Sequence, residues 1–177
     1  MWALVEDNNV TQVFTRPKAL TIGENQYQAN IFNLWSTSEL EALGIYEVVV
    51  DNTNLKDKEY YVNTNQTFTY SSVTDTVTAS YGTATAKDLD VLKTEHKKII
   101  NAQAGSLLAP YDWYTLRAAD GGTAVPSNVA TYRTAVRTTA NDMCTKIDAV
   151  ADVDALAALY VYSTDSRPLG EWPTLGS

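Results

Sequence analysis

The sequence predicts an α+β chain, β-rich over residues 1–86 and helical from residue 87. Up to Ala86, short runs of β-branched and aromatic residues are separated by clusters of Asn, Asp, Gly and Pro. From Lys87 onward, apolar residues recur at steps of three and four. No period of about 20–50 residues recurs, which argues against a solenoid or propeller. Composition divides the chain into four parts. These are a β-rich domain over 1–50, a hairpin and connecting region over 51–86, a helical domain over 87–162, and an extended tail over 163–177.

In the first part, antiparallel hairpins and one short helix are expected. Trp2 to Glu6 and Val10 to Thr15 flank Asp7-Asn8-Asn9, residue types that tolerate the left-handed backbone of a tight hairpin. Leu20 to Ile22 and Tyr27 to Phe32 form a second hairpin about Gly23-Glu24-Asn25, and Pro17 breaks the ladder between the two. Ser36-Thr37-Ser38-Glu39 is a capping box. It opens a helix whose apolar face is Leu40 and Leu43, and Gly44 fits its left-handed stop. Ile45 to Val50 then reads as a strand.

Asp51 to Lys58 is polar and reads as a loop. Glu59 to Val62 and Thr67 to Tyr70 flank Asn63-Thr64-Asn65-Gln66, giving a third hairpin. In Val73 to Ala86, Val73, Asp75, Val77, Ala79 and Tyr81 alternate with Thr and Ser. That run suits either a further sheet strand or an exposed arm.

The helical part starts with a stripe of Leu89, Leu92, His96, Ile99 and Gln103, with Lys93, Lys97 and Lys98 on the other side and Gly105-Ser106 as an interruption. Pro110 and Asp112 suit the start of a second helix bearing Trp113, Leu116 and Arg117, ended by Gly121-Gly122. Pro126-Ser127 begins a long third helix, whose near-heptad stripe is Val129, Tyr132, Val136, Ala140, Met143 and Ile147. Helices two and three would make a helical hairpin. Asp152 can cap a short fourth helix containing Leu156, Leu159 and Tyr160. The tail carries Trp172-Pro173.

Composition narrows the function classes. A formal charge of −8 disfavours nucleic-acid backbones and anionic membrane surfaces as partners. No apolar run approaches the roughly 18 residues of a membrane helix, and the N-terminus shows no signal-peptide pattern, so synthesis in the cytoplasm is expected. Cys144, the single cysteine, excludes an intramolecular disulfide and reads as a small packed hydrophobe. His96 is the single histidine, so neither a zinc site nor a His-based nucleophilic site has enough suitable side chains. Asp51, Asn52, Asn54 and Asp57 lack the Gly and Glu of a calcium loop, and Gly121-Gly122 lacks the lysine of a phosphate loop. No catalytic residue, cofactor or metal is therefore assigned. The 11 Tyr and four Trp against three Phe suit either a small two-sided sheet or interfaces, since both side chains join an apolar body to a polar tip.

One group of side chains invites two readings. Arg133 and Arg137 are one turn apart, Arg117 lies on the preceding helix, and Asp112 is close in sequence. They suit an internal Arg–Asp network locking the helical hairpin, or a docking site for an anionic partner, because guanidinium forks bind carboxylates bidentately. Trp113, Tyr132, Trp172 and Pro173 join Asp112, Arg117, Arg133 and Arg137 as partner-binding candidates. On this view Trp172 either serves as a docking anchor or folds back on the chain's own helices.

Three segments carry a resemblance: Asp-Trp-Tyr-Thr-Leu-Arg (Asp112 to Arg117), Gly-Gly-Thr-Ala-Val-Pro (Gly121 to Pro126) and Thr-Tyr-Arg-Thr-Ala-Val-Arg (Thr131 to Arg137). Together they resemble the tail-fibre assembly module of tailed bacteriophages. The segments 1–10, 16–23 and Trp35 to Tyr46 are similar to the N-terminal segment often joined to that module, and Trp172-Pro173 also fits. Residues 51–86 lie outside the resemblance. It implies a non-enzymatic protein that helps receptor-binding fibres fold or trimerise, or a fibre-associated component of the virion tail or baseplate. Its implied partner is a tail fibre or other tail protein, with homo-oligomerisation open, and its implied location is the host cytoplasm during assembly, with retention in the virion open. The family supplies no catalytic residue. From a different class, exposed Tyr and Trp of the β region suit a glycan-binding adhesin module.

Overall fold

The structure is a computed structural model and describes residues 1–176. It is α+β and has two compact units, Met1–Thr85 and one beginning at Ala86.

The first unit is built on a five-stranded sheet in the order β2-β1-β5-β8-β7. Its strands are β1 (Trp2–Glu6), β2 (Asn9–Phe14), β5 (Ile45–Asp51), β7 (Gln66–Ser71) and β8 (Thr76–Tyr81). Strand β1 pairs antiparallel with both β2 and β5. Strands β7 and β8 form an antiparallel hairpin. The junction between these halves, β5 with β8, is parallel. The sheet is therefore mixed, not a set of antiparallel hairpins, and it joins residues on both sides of position 50. It curls until its edges, β2 and β7, approach one another.

The β1–β2 turn needs only Asp7 and Asn8, both at positive φ, so Asn9 already pairs with Glu6. A register shift follows between Leu4 and Val5, which pair with Gln12 and Val10 and leave Thr11 as the extra residue of a bulge.

Alternation splits the core of this unit in two. Ala3, Val48, Val77 and Ala79 face one side, with Val13, Phe68 and Tyr70 around them. The near-complete burial of two alanines there reflects the tight concave space inside a curled sheet. Leu4, Phe14 and Ile45 face the other way, against Leu20, Ile31, Phe32 and Leu40. That second layer comes from the hairpin β3 (Leu20–Ile22) and β4 (Asn25–Tyr27) and the short helices α1 (Ile31–Leu34) and α2 (Thr37–Glu41).

Strand β4 ends at Tyr27, so Ile31 and Phe32 belong to α1 and not to the expected strand. A strand sends neighbouring side chains to opposite faces. Both of these are buried in the same cluster, which one helical turn allows and a strand forbids. The capping box forms: Glu39 accepts from the Ser36 amide and hydroxyl, each at 2.7 Å. Those bonds hold its carboxyl below the usual carboxylate range. Gly44 ends the helix at φ +78°, and a Cβ there would stand 2.6 Å from the Val5 carbonyl oxygen. The Gly44 carbonyl meanwhile accepts from the Val5 amide at 2.8 Å.

The expected third hairpin does not form. Asn63 instead closes a loop on Lys56, accepting from its amide at 2.9 Å and donating to its carbonyl at 2.8 Å. Thr64 accepts from the Gly82 amide at 2.7 Å. Those bonds leave β6 (Tyr61–Val62) to pair with β9 (Thr85–Ala86), while β7 pairs with β8. The run from Val73 thus supplies a sheet strand rather than an arm. Tyr46 and Tyr70 stack at 4.9 Å, and Tyr70 donates to Asp75 at 2.7 Å. Contact with Tyr46 and Asp75 raises the Tyr70 hydroxyl well above its ordinary range.

In the second unit, α3 (Leu89–Leu108) packs along α5 (Ser127–Ala149). Gly105 and Ser106 do not interrupt α3. Glycine in a helix costs only about 1 kcal/mol relative to alanine, and the Ser106 hydroxyl donates back to the Ala102 carbonyl at 3.0 Å. The buried stripe of α3 is Leu92, His96, Ile100 and Ala104, so Ile99 lies outside it. His96 Nδ1 is 2.8 Å from the Tyr160 hydroxyl. On α5, all six expected seam residues are buried, with Arg133 beside them. Lys93 donates to the Asp148 carbonyl at 3.0 Å and Lys97 pairs with the Asp148 carboxylate at 2.6 Å. Both cations sit where the α5 dipole is negative. Asp152 caps α6 (Val153–Ala158), which carries fully buried Leu156, and Leu159 and Tyr160 follow its end.

Candidate protein-interaction site

The segment between α3 and α5 holds most of the candidate residues. A single 3₁₀ turn, Ala109–Tyr111, leads into α4 (Asp112–Ala119). Gly121 at φ +80° ends α4, and Pro126 precedes α5. Helix α4 buries none of its own residues. The main helical partner of α5 is α3 and not α4, contrary to the expected hairpin, because the α5 seam matches the stripe of α3.

The four charged candidates separate into two kinds. Arg133, 8% exposed, donates to the Leu108 carbonyl at 3.2 Å and to Asp112 at 2.8 Å. One guanidinium thus ties α5 to the end of α3 and the start of α4. Tyr111 reinforces the join edge-on against buried Tyr132, with ring centres 5.3 Å apart. Arg137 does not share in this. It is exposed and, among the described residues, has no ion pair or hydrogen bond. Four residues of α-helix advance about 40° past a full turn, and that rotation carries Arg137 off the α3-facing seam.

Arg117 is held differently again. Its guanidinium lies 4.8 Å from the Trp113 ring centre and 5.3 Å from that of Tyr114. Its Nε is buried and, among the described residues, without a hydrogen-bond partner. Gly122 packs on it so closely that a Cβ there would stand 2.9 Å from Arg117 Cγ. Trp113 and Leu116 complete this face, 49% and 66% exposed. Sequence reasoning did not single out Leu116 or Gly122 for this site. The spacing Trp113, Leu116, Arg117 would have shown them one turn apart on a shared face.

The tail folds back on its own helices. Leu169 is buried, and its amide donates to the Leu159 carbonyl at 3.1 Å. Lys146 donates to the carbonyls of Pro168 and Leu169 at 2.9 and 3.0 Å. Trp172 Nε1 donates to Gln103 at 3.1 Å, and both Trp172 and Pro173 are half-buried. An open groove of about 530 Å³ remains between tail and helices, edged by Ile99, Tyr162, Arg167 and Trp172. Truncation after Ser163 should therefore destabilise the helical unit by about 2–5 kcal/mol, the usual cost of losing large buried side chains. Urea unfolding followed by helical circular dichroism, whose signal comes mainly from α3 and α5, measures this. An unchanged midpoint would mean that the tail is not part of the fold.

Among the described residues, no cluster of His, Cys, Asp and Glu could hold a metal, and no helix is long and apolar enough to cross a membrane. Cys144 is partly buried, and that burial pushes its thiol upward. Fold and site together define a two-unit α+β chain presenting a short, rigidly anchored aromatic–arginine helix. Comparison with protein-family models, curated proteins and solved structures found no match.

Proposed function

We propose that this chain is a non-enzymatic tail protein of a tailed bacteriophage, either a tail-fibre assembly protein or a fibre-associated component of the virion tail or baseplate. The observation that carries the reading is local. The three segments resembling the tail-fibre assembly module form one continuous feature: α4, the turn after it, and the first half of α5. Within it, Arg133, Asp112 and Gly122 serve as internal fixings, whereas Trp113 and Leu116 are exposed and Arg117 lies half-buried beside them. A surface of Trp, Leu and Arg has the composition of a protein–protein contact, where Trp and Arg are enriched among the residues that dominate binding. A glycan-binding role for the β region has less support: Trp2 packs on Phe32 and Tyr46 on Tyr70, so these rings are occupied inside the unit.

Co-expression with the tail-fibre protein of the same virus tests the proposal. The expected result is a higher yield of soluble fibre trimer, or a complex that survives gel filtration. Fibre that folds equally well without the chain, and never associates with it, would overturn the reading.

A further inference from the structure

We infer that the α4 face is a receptor for a carboxylate-bearing segment of a partner protein, with Arg117 taking the carboxylate and Trp113 and Leu116 taking a neighbouring apolar side chain. This deepens the tail-protein reading, on which it rests for the partner's identity but not for its chemistry.

Three observations carry the inference. Arg117 makes no hydrogen bond and no ion pair among the described residues, although its guanidinium lies beside the stacked rings of Trp113 and Tyr114. Its terminal N–H groups have no acceptor among the described residues, and a carboxylate matches such a fork with two parallel bonds. The Trp113–Tyr114 ring pair on one side, with Gly122 against the Arg117 stem, limits the side-chain freedom that binding would otherwise have to freeze.

Local charge points the same way. Between residues 99 and 141 the chain carries three arginines against two aspartates and neither lysine nor glutamate, within a chain of net charge −8. Asp112 and the buried Arg133 neutralise one another, which leaves Arg117 and Arg137 against Asp120. This stretch is thus mildly cationic in an acidic protein, and complementarity selects an acidic segment over a basic or neutral one. The apolar half of the face sets the second requirement. Trp113 and Leu116 are one turn apart and largely open to solvent, so a Leu, Ile or Phe beside the acidic residue would cover both.

The probe is an array of twelve-residue peptides pairing Leu or Phe with Asp or Glu, each beside its Asn or Gln counterpart, incubated with the full chain. Acidic members should be retained about tenfold more than their amide counterparts, which corresponds to one charge-assisted pair at about 1.4 kcal/mol. Arg117→Gln keeps the side-chain stem under Gly122 and should abolish that preference. It should lower the folding equilibrium constant by no more than about fivefold, about 1 kcal/mol, the loss of its cation–π contacts. Trp113→Ala should weaken all members together. Equal retention of acidic and amide members, or a preference surviving Arg117→Gln, overturns the inference. Should acidic peptides bind through Arg117 while no tail-fibre protein associates with the chain, the receptor stands and the tail-protein reading fails.

Discussion

Gly44→Ala lowers the stability of the first unit by about 2–6 kcal/mol. Two separate penalties meet at this position. Its φ of +78° is a conformation in which a non-glycine residue costs on the order of 1–3 kcal/mol. The new Cβ would also lie 2.6 Å from the Val5 carbonyl oxygen, a backbone atom fixed by the β1 ladder. Overpacking against a neighbour that cannot yield costs a further ~1–3 kcal/mol. Gly23 is the control, because it shares the positive φ, at +60°, but a Cβ there meets nothing within 4 Å. Gly23→Ala should therefore show the conformational penalty alone, about 1–2 kcal/mol. Denaturant midpoints at unchanged slope measure both. Equal losses for the two variants would show that the Val5 approach is unimportant.

Arg133→Ala destabilises the second unit by about 2–4 kcal/mol, and Arg137→Ala changes it by less than about 0.5 kcal/mol. Breaking a fully buried ion pair costs about 3–5 kcal/mol. The figure for Arg133 is set somewhat lower because the Asp112 side chain is 57% exposed and regains water when its partner goes. What remains is the unsatisfied Leu108 carbonyl and the lost packing of the arginine stem beside Tyr132. Arg137 has no partner to lose among the described residues, and exposed substitutions of that kind are nearly neutral. Thermal unfolding of the two variants side by side is the measurement. A loss for Arg137→Ala comparable to that for Arg133→Ala would place Arg137 in the lock after all.

Local signals were legible where the answer lies within a few residues. Ser36 and Glu39 announce their helix because both capping bonds span three positions. The α5 seam is legible because six apolar residues at heptad spacing leave one orientation that buries them all. Ile31 and Phe32 were misread because two adjacent apolar residues fit a strand run as well as a helical turn, and only their common burial decides. The parallel β5–β8 pair was illegible because alternation looks the same whichever way the neighbouring strand runs. Asn63 was read as a turn residue, but its partner, Lys56, lies seven positions away and is selected by the folded loop. At the candidate site the sequence grouped Arg117, Arg133 and Arg137 by type and spacing. It could not separate a lock from an open fork, since that depends on a carbonyl at Leu108 and on ring faces at Trp113 and Tyr114.

Strand β5 fixes the order in which the first unit can assemble. The turns within β1–β2, β3–β4 and β7–β8 are short, and isolated hairpins of this kind form in about 1–10 μs. Strand β5 has no such local partner. Glu47 must find Trp2, and Val48 must find Val77, each across tens of residues. Closing those loops is the slow, entropy-limited event. On a ribosome, three of the five strands can pair as soon as β5 emerges, but its parallel edge stays uncovered until Tyr81 has emerged too. Through that interval the nascent chain offers a row of unpaired backbone groups flanked by Val48, Val49 and Val50, a template for wrong pairing with a neighbouring chain. The delay between the emergence of Asp51 and that of Tyr81 therefore sets how long this protein is exposed to misassembly.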